Sequence, residues 1–141
     1  MFVLIVGSGR VGSSVATTAL RAGHIASVLD QDPLSHERLD VELGRSWEES
    51  GGRFTIGTAL EMDALMEAGI AEADVFIACT RGDNTNLVVS QVAQRRFGVP
   101  KVIARVLDPR RAAWYAEQGV HTICGTAIAI QQHEEAAFGS T

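Results

Sequence analysis

Cysteine is scarce in this chain. Cys79 and Cys124 are the only two, and each stands alone inside an apolar run. With no CxxC pair, neither a disulfide framework nor a zinc site is indicated. Both are expected in the core, where a free thiol behaves as a small hydrophobe. Basic blocks are also missing: 12 lysines and arginines face 17 aspartates and glutamates, a net charge of −5. General nucleic-acid binding is therefore excluded. No apolar stretch approaches the ~20 residues of a membrane span, so no direct membrane insertion is expected. No basic region precedes the first apolar run, unlike a secretory signal. These absences point to a cytoplasmic chain and leave open docking to a membrane protein. A Walker-type lysine motif is absent, and no paired acids offer a catalytic metal site.

What is present is enough for one substantial core: 141 residues, 46% hydrophobic and 21% charged, a balance that argues against disorder. Short Val/Ile-rich runs alternate with helical patterns. The runs are at 2–6, 25–30, 53–57, 74–80, 101–106 and 120–124. They are nearly continuous in hydrophobicity, as parallel strands covered on both faces require. Helices are expected at about 10–22, 33–44, 59–68, 83–97, 108–118 and 126–137. Asp32-Pro33 reads as an N-cap followed by proline at the first helical position. Gly23, Gly69, Gly98 and Gly119 each follow a helix end, where a left-handed cap favours glycine. The segment 45–53 reads as a polar loop. The pattern predicts an α/β fold, a doubly wound Rossmann-type parallel sheet of six strands in the order 3-2-1-4-5-6, as a single domain.

The stretch VGSGRVG carries the chemistry. Gly7, Gly9 and Gly12 follow a strand and open a helix, and Asp30 ends the second strand. Together they make the full dinucleotide fingerprint, where a lone GxGxxG would be weak. Gly7 permits the tight turn, Gly9 the approach of a pyrophosphate, and Gly12 close packing of helix on strand. Asp30 would accept hydrogen bonds from ribose hydroxyls and repel a 2′-phosphate, which disfavours NADP. Arg10 is set in the first helical turn against the dipole, which favours anions there by about 0.3–1 kcal/mol. A bound phosphate would explain it; a solvated arginine is the other reading. Arg105, at the end of the fifth strand, faces either a phosphate or ribose or an ion pair with Asp108.

The remaining candidates sit on the same sheet edge. Thr58 can bond the adenine edge, and Thr80 and Asn86 can reach phosphates or ribose, whereas Asp83 reads as a helix cap. Ser8, Val11, Gln31, Gly57, Ala59 and Cys79 complete the expected cofactor-binding set. A dehydrogenase also needs a proton-transfer group beside the nicotinamide. His24, His36, His121 and His133 all fall away from the ligand edge by this reading, so no catalytic residue is assigned. A nucleotide site without a reaction site reads as a sensor; the alternatives are a small NAD-dependent oxidoreductase domain and a nucleotide-sensing subunit of another transporter.

Three stretches, VGSGRVGSSVA, SVLDQDP and above all ADVFIACTRGDNTNLVVSQVAQRRFGVPKVIARVLDP over 73–109, resemble the RCK or KTN domain, the N-terminal nucleotide-binding half of Trk-A-type regulators of potassium uptake. The resemblance covers nearly the whole chain. It implies NAD, NADH, ATP or ADP as ligand, with AMP possible. It also implies a homodimer built into a higher ring, peripheral to the inner face of the membrane and gating a potassium transporter or channel. By the same resemblance, Gly7, Gly9 and Gly12 form the phosphate loop, Arg10 meets terminal phosphates, Asp30 holds the ribose, and Arg105 lies by the ligand. Where the family usually has Gly-Asp after the third strand, this chain has Gly57-Thr58. The chain ends at Thr141, where many such regulators continue into a smaller domain. The expected division is a Rossmann domain over 1–124 and a terminal helix within 125–141. Ile128, Ile130 and Phe138 give that helix more apolar surface than one-sided packing needs. It either crosses to a neighbouring subunit, as the resemblance implies, or packs back on its own sheet.

Overall fold

Residues 2–6, FVLIV, form β1, and every one of them is buried. That follows from their composition, since a run apolar at every position needs cover on both faces. The computed structural model describes residues 1–139. Around β1 run α1 (Arg10–Arg21), β2 (Ile25–Asp30), α2 (Ser35–Leu43), β3 (Arg53–Ile56), α3 (Met62–Ala68) and β4 (Val75–Ala78). The second half adds α4 (Asp83–Gln91), β5 (Lys101–Arg105), α5 (Pro109–Glu117), β6 (His121–Ile123) and α6 (Gly125–Phe138). A 3₁₀ turn, Ile70–Glu72, precedes β4. The six strands are all parallel and lie in the order β3-β2-β1-β4-β5-β6, as predicted.

Alternate residues of β1, β2 and β4 feed two cores. Leu4, Val6, Leu29, Phe76 and Ala104 pack on one face with Leu65, Val89 and Val120. Val3, Ile5, Val28 and Val75 pack on the other with Ala16, Leu39 and Trp47. Gly23, Gly69, Gly98 and Gly119 all take positive φ past helix ends, as expected of left-handed caps. Both cysteines are buried.

Three expectations are corrected. Helix α2 begins at Ser35, not at Pro33. The Asp32 carboxylate accepts from the Leu34 N–H at 2.9 Å, so Asp32-Pro33 makes a turn before the helix. The 45–53 segment is not simply a polar loop, because Trp47 is fully buried. Its N–H donates to Asp40 and its indole N–H to the Arg53 carbonyl. A Cβ on Gly52 would overlap the indole ring, so glycine is what lets the chain close over it. Third, the helix read over 83–97 changes character. After Gln91 it continues as a π-helical stretch, Val92–Arg96, and the Val99 N–H returns to the Ala93 carbonyl at 3.0 Å.

The β4-β5-β6 side of the sheet is thinly covered on one face. On the α1 face, Ile77, Ile103 and Ile123 line a groove of about 920 Å³ whose other walls are Val11, Val15, Ala129 and Ile130. Helix α6 bounds this groove, yet none of its 14 residues is buried. Ser140 and Thr141, the last two residues of the expected terminal segment, lie outside the described residues. Among the described residues, no helix is long and apolar enough to cross a membrane.

Candidate functional site

At the C-terminal edge of the sheet a cleft of about 1060 Å³ opens over the glycine loop. The loop's geometry follows from the three missing side chains. Gly7 has φ +95°, and a Cβ on it would lie 2.8 Å from the Cys79 carbonyl. A Cβ on Gly12 would collide with the Gly7 carbonyl oxygen, whereas one on Gly9 would meet nothing within 4 Å. Gly7 and Gly12 are therefore required by packing, and Gly9 is the one that faces open space. Gly9 caps α1 without a side-chain hydrogen bond, and the helix has no acid in its first turn. The N-terminal N–H groups and the helix dipole thus meet the cleft uncompensated, as an anion site requires.

Asp30 braces this loop. Its Oδ2 accepts from the Ser8 N–H at 2.7 Å and the Ser8 hydroxyl at 3.1 Å, and its Oδ1 from the Asp32 N–H at 2.8 Å. Arg38, on α2, donates from Nη1 to the Ser8 carbonyl at 2.6 Å. Ser8 is thus held between the end of β2 and the body of α2.

The charge of the cleft runs against that of the chain. Arg10, Arg38, Arg81 and Arg105 line it, against Asp30 and Asp32; four cations less two anions leave +2, where the whole chain carries −5. No carboxylate pairs with any of these arginines among the described residues. The Arg105–Asp108 pair, one of the two readings of that arginine, is not formed; Asp108 instead caps α5 by accepting from the Arg110 N–H at 2.9 Å. Four unpaired guanidinium groups around one opening, at the end of a dipole, fit a phosphorylated ligand.

Of the other expected residues, Val11, Gln31, Gly57, Thr58, Ala59, Cys79 and Thr80 also line the cleft. Burial pushes the Cys79 thiol above its ordinary value, and the Arg105 cation offsets this in part. Asn86 does not reach the cleft. It is 1% exposed, and all four of its hydrogen-bonding positions are used. Its Oδ1 accepts from the Thr80 N–H and hydroxyl, and its Nδ2 donates to the Thr80 and Arg105 carbonyls. Asn86 ties the ends of β4 and β5 together rather than facing a ligand. Asp83 does not cap its own helix either: its carboxylate accepts from the Leu107 and Asp108 N–H groups at 2.8 and 3.0 Å.

Arg38 and Arg81 escaped the sequence reading. Arg81 follows Thr80 directly and carried the signal of its position after β4. Arg38 is one exposed arginine on a polar helix face, and only the packing of α2 beside α1 brings it to Ser8.

Fold and cleft together define a Rossmann-type domain with a cationic ligand cleft at the switch point of its sheet. The chain belongs to the TrkA-N domain family, whose model matches residues 3–126. It is 44% identical over 123 residues to the Trk system potassium uptake protein TrkA of Streptomyces coelicolor, covering 87% of this chain and 52% of that protein. The chain therefore spans about half the length of this curated relative. Among solved structures, it is similar to the TrkA-N domain of the inner membrane protein ybaL from Escherichia coli. That match has TM-score 0.77 and 21% identity, covering 96% of both chains. The Kef C-terminal domain of Shewanella denitrificans in its AMP-bound form aligns with TM-score 0.76 and 25% identity, over 96% of this chain and 79% of that one. GsuK bound to ADP and the GsuK channel bound to NAD share the fold at 18% identity, with TM-scores of 0.74 and 0.73. The alignments cover 99% and 95% of this chain, and 34% and 22% of those.

Proposed function

We propose that this chain is the nucleotide-sensing domain of a potassium-uptake regulator, and that its cleft binds an adenine nucleotide: NAD, NADH, ATP or ADP, with AMP as a minimal ligand. The excess of positive charge at the cleft, inside a chain of opposite net charge, carries the reading. The AMP, ADP and NAD named for the similar structures support it, as does the potassium-uptake relative. In this reading Gly7, Ser8, Gly9, Arg10, Val11 and Gly12 cradle the phosphates. Asp30 and Gln31 take the ribose, and Arg105 and Thr80 close the far side. Asp30 opposes a 2′-phosphate, so NADP binds worst, and Arg38 is already drawn to the Ser8 carbonyl.

The regulator works as a homodimer built into a larger assembly on the inner face of the membrane, docked to a potassium transporter or channel. Helix α6 crosses to a neighbouring copy, supported by its lack of any buried residue and by the apolar groove it only borders. Nucleotide exchange shifts the assembly between two conformations by no more than the ligand's differential affinity for them. Arg10 discriminates, because a terminal phosphate engages it and a shorter nucleotide leaves it free. Calorimetric titration of Arg10→Ala tests this. The ratio of ATP to ADP affinity should fall at least fivefold, in line with the roughly 1–3 kcal/mol of a charge-assisted hydrogen bond. An unchanged ratio would sink the assignment.

A further inference from the structure

Successive peptide planes of the glycine loop are each held by a different group. The Ser8 N–H fixes the Gly7–Ser8 plane by donating to Asp30 Oδ2 at 2.7 Å. The Gly9 carbonyl fixes the Gly9–Arg10 plane by accepting from the Ser13 N–H at 2.9 Å. The plane between them, Ser8–Gly9, is held at its carbonyl by a side chain from another helix. Arg38 reaches over from α2 and donates from Nη1 at 2.6 Å. Arg38 is exposed and pairs with no carboxylate among the described residues, so this carbonyl is the partner that holds it.

A trans peptide plane is rigid, and its C=O and N–H point in opposite directions. With the Ser8 carbonyl turned to Arg38, the Gly9 N–H points away from α2. That N–H is one of the donors a helix N-terminus offers to an anion. Turned over, the same plane would present a carbonyl oxygen there, and an oxygen repels phosphate. Sterically the turn is open. Gly9 sits at φ −69°, and turning the plane over would carry it to a positive φ, which glycine alone adopts readily. A Cβ on Gly9 would meet nothing within 4 Å, so no neighbour locks the residue, whereas Gly7 and Gly12 are wedged against backbone.

We propose that Arg38 is a positioning residue of the glycine loop: it latches the Ser8–Gly9 plane so that an N–H, and not a carbonyl oxygen, faces a bound phosphate. The proposal rests on the nucleotide reading of the cleft. To that reading it adds a residue outside the loop and its helix, on which the loop's donor pattern depends. The guanidinium acts through the backbone and not by contact with the ligand.

The test pairs two measurements on the whole chain. The apparent affinity is the intrinsic one scaled by the population of the competent plane. Removing one hydrogen bond to a charged group, worth about tenfold, should therefore weaken AMP and ADP by the same factor in Arg38→Met. Calorimetric titration should show that loss with the ratio of the two affinities unchanged. Arg38→Lys, which keeps a donor for the carbonyl, should recover most of it. In the ligand-free protein, the Gly9 amide signal in a proton–nitrogen correlation spectrum should be single in the wild type. In Arg38→Met it should be shifted, doubled or broadened by exchange, with the melting temperature unchanged. An arginine that touched the phosphate directly would weaken binding yet leave the Gly9 signal as in the wild type; that result overturns the proposal. Wild-type affinity in Arg38→Met overturns it too, while leaving the nucleotide reading intact. Binding of neither nucleotide by the wild type overturns both.

Discussion

At Gly12 the Cα faces the carbonyl oxygen of Gly7 so closely that a methyl group cannot be placed without moving helix or loop. Gly12→Ala should therefore cost about 1–3 kcal/mol of stability, the range for overpacking. It should also displace the loop that would hold phosphates, which chemical denaturation and nucleotide titration would each register. Asn86 poses the opposite case. A reading from sequence puts it at the ligand, whereas three of its four hydrogen bonds hold the backbone of Thr80 and Arg105 from behind and the fourth holds the Thr80 hydroxyl. Asn86→Ala should cost about 3 kcal/mol in urea unfolding, because buried backbone groups left unpaired cost roughly 1–3 kcal/mol each. A loss of nucleotide affinity with no loss of stability would contradict the bracing role. The residue types at this edge were legible in the sequence; their orientations were not. A buried asparagine and a ligand-facing one carry the same letter, and only the approach of β5 to β4 decides between them.

The strands were the most legible elements, because runs such as FVLIV and VFIA are apolar throughout, and only a parallel sheet between two helix layers buries both faces. The strand order then followed from right-handed crossovers. Less legible was whatever depends on one residue packing against a distant one. Trp47 sits alone among polar neighbours with no periodicity to mark it, and its burial relies on Gly52 giving way to its ring. The π-helical stretch Val92–Arg96 uses residues that suit an ordinary helix equally well. The clearest element-scale prediction concerns α6, whose Ile128 and Ile130 are each about half exposed, at 51% and 49%. If α6 crosses to a second copy, the double variant Ile128→Asp, Ile130→Asp should sediment as a monomer with unchanged far-UV circular dichroism. Its dimerisation should weaken at least tenfold, since burying an isoleucine stabilises by about 1.5–3 kcal/mol. An unchanged dimer would place the helix elsewhere.

For the molecule as a whole, the distribution of charge says most. A chain of net charge −5 repels anions from most of its surface, yet concentrates four arginines around one opening. Such a field draws a phosphorylated ligand to the cleft and away from other faces, with a dependence on ionic strength. In the proposed reading Asp30 then filters what arrives, by opposing a 2′-phosphate at the ribose. The central claim is that this opening binds an adenine nucleotide. A thermal-shift titration of the purified chain with ATP, ADP, AMP, NAD, NADH and NADP tests it most directly. Binding to the folded state adds about 2.7 kcal/mol at a ligand concentration of 100 times the dissociation constant. ATP, ADP or the NAD pair should therefore raise the melting temperature by several degrees, with NADP raising it least. No shift with any of the six, up to millimolar concentration, would mean that the glycine loop and its arginines serve the fold alone.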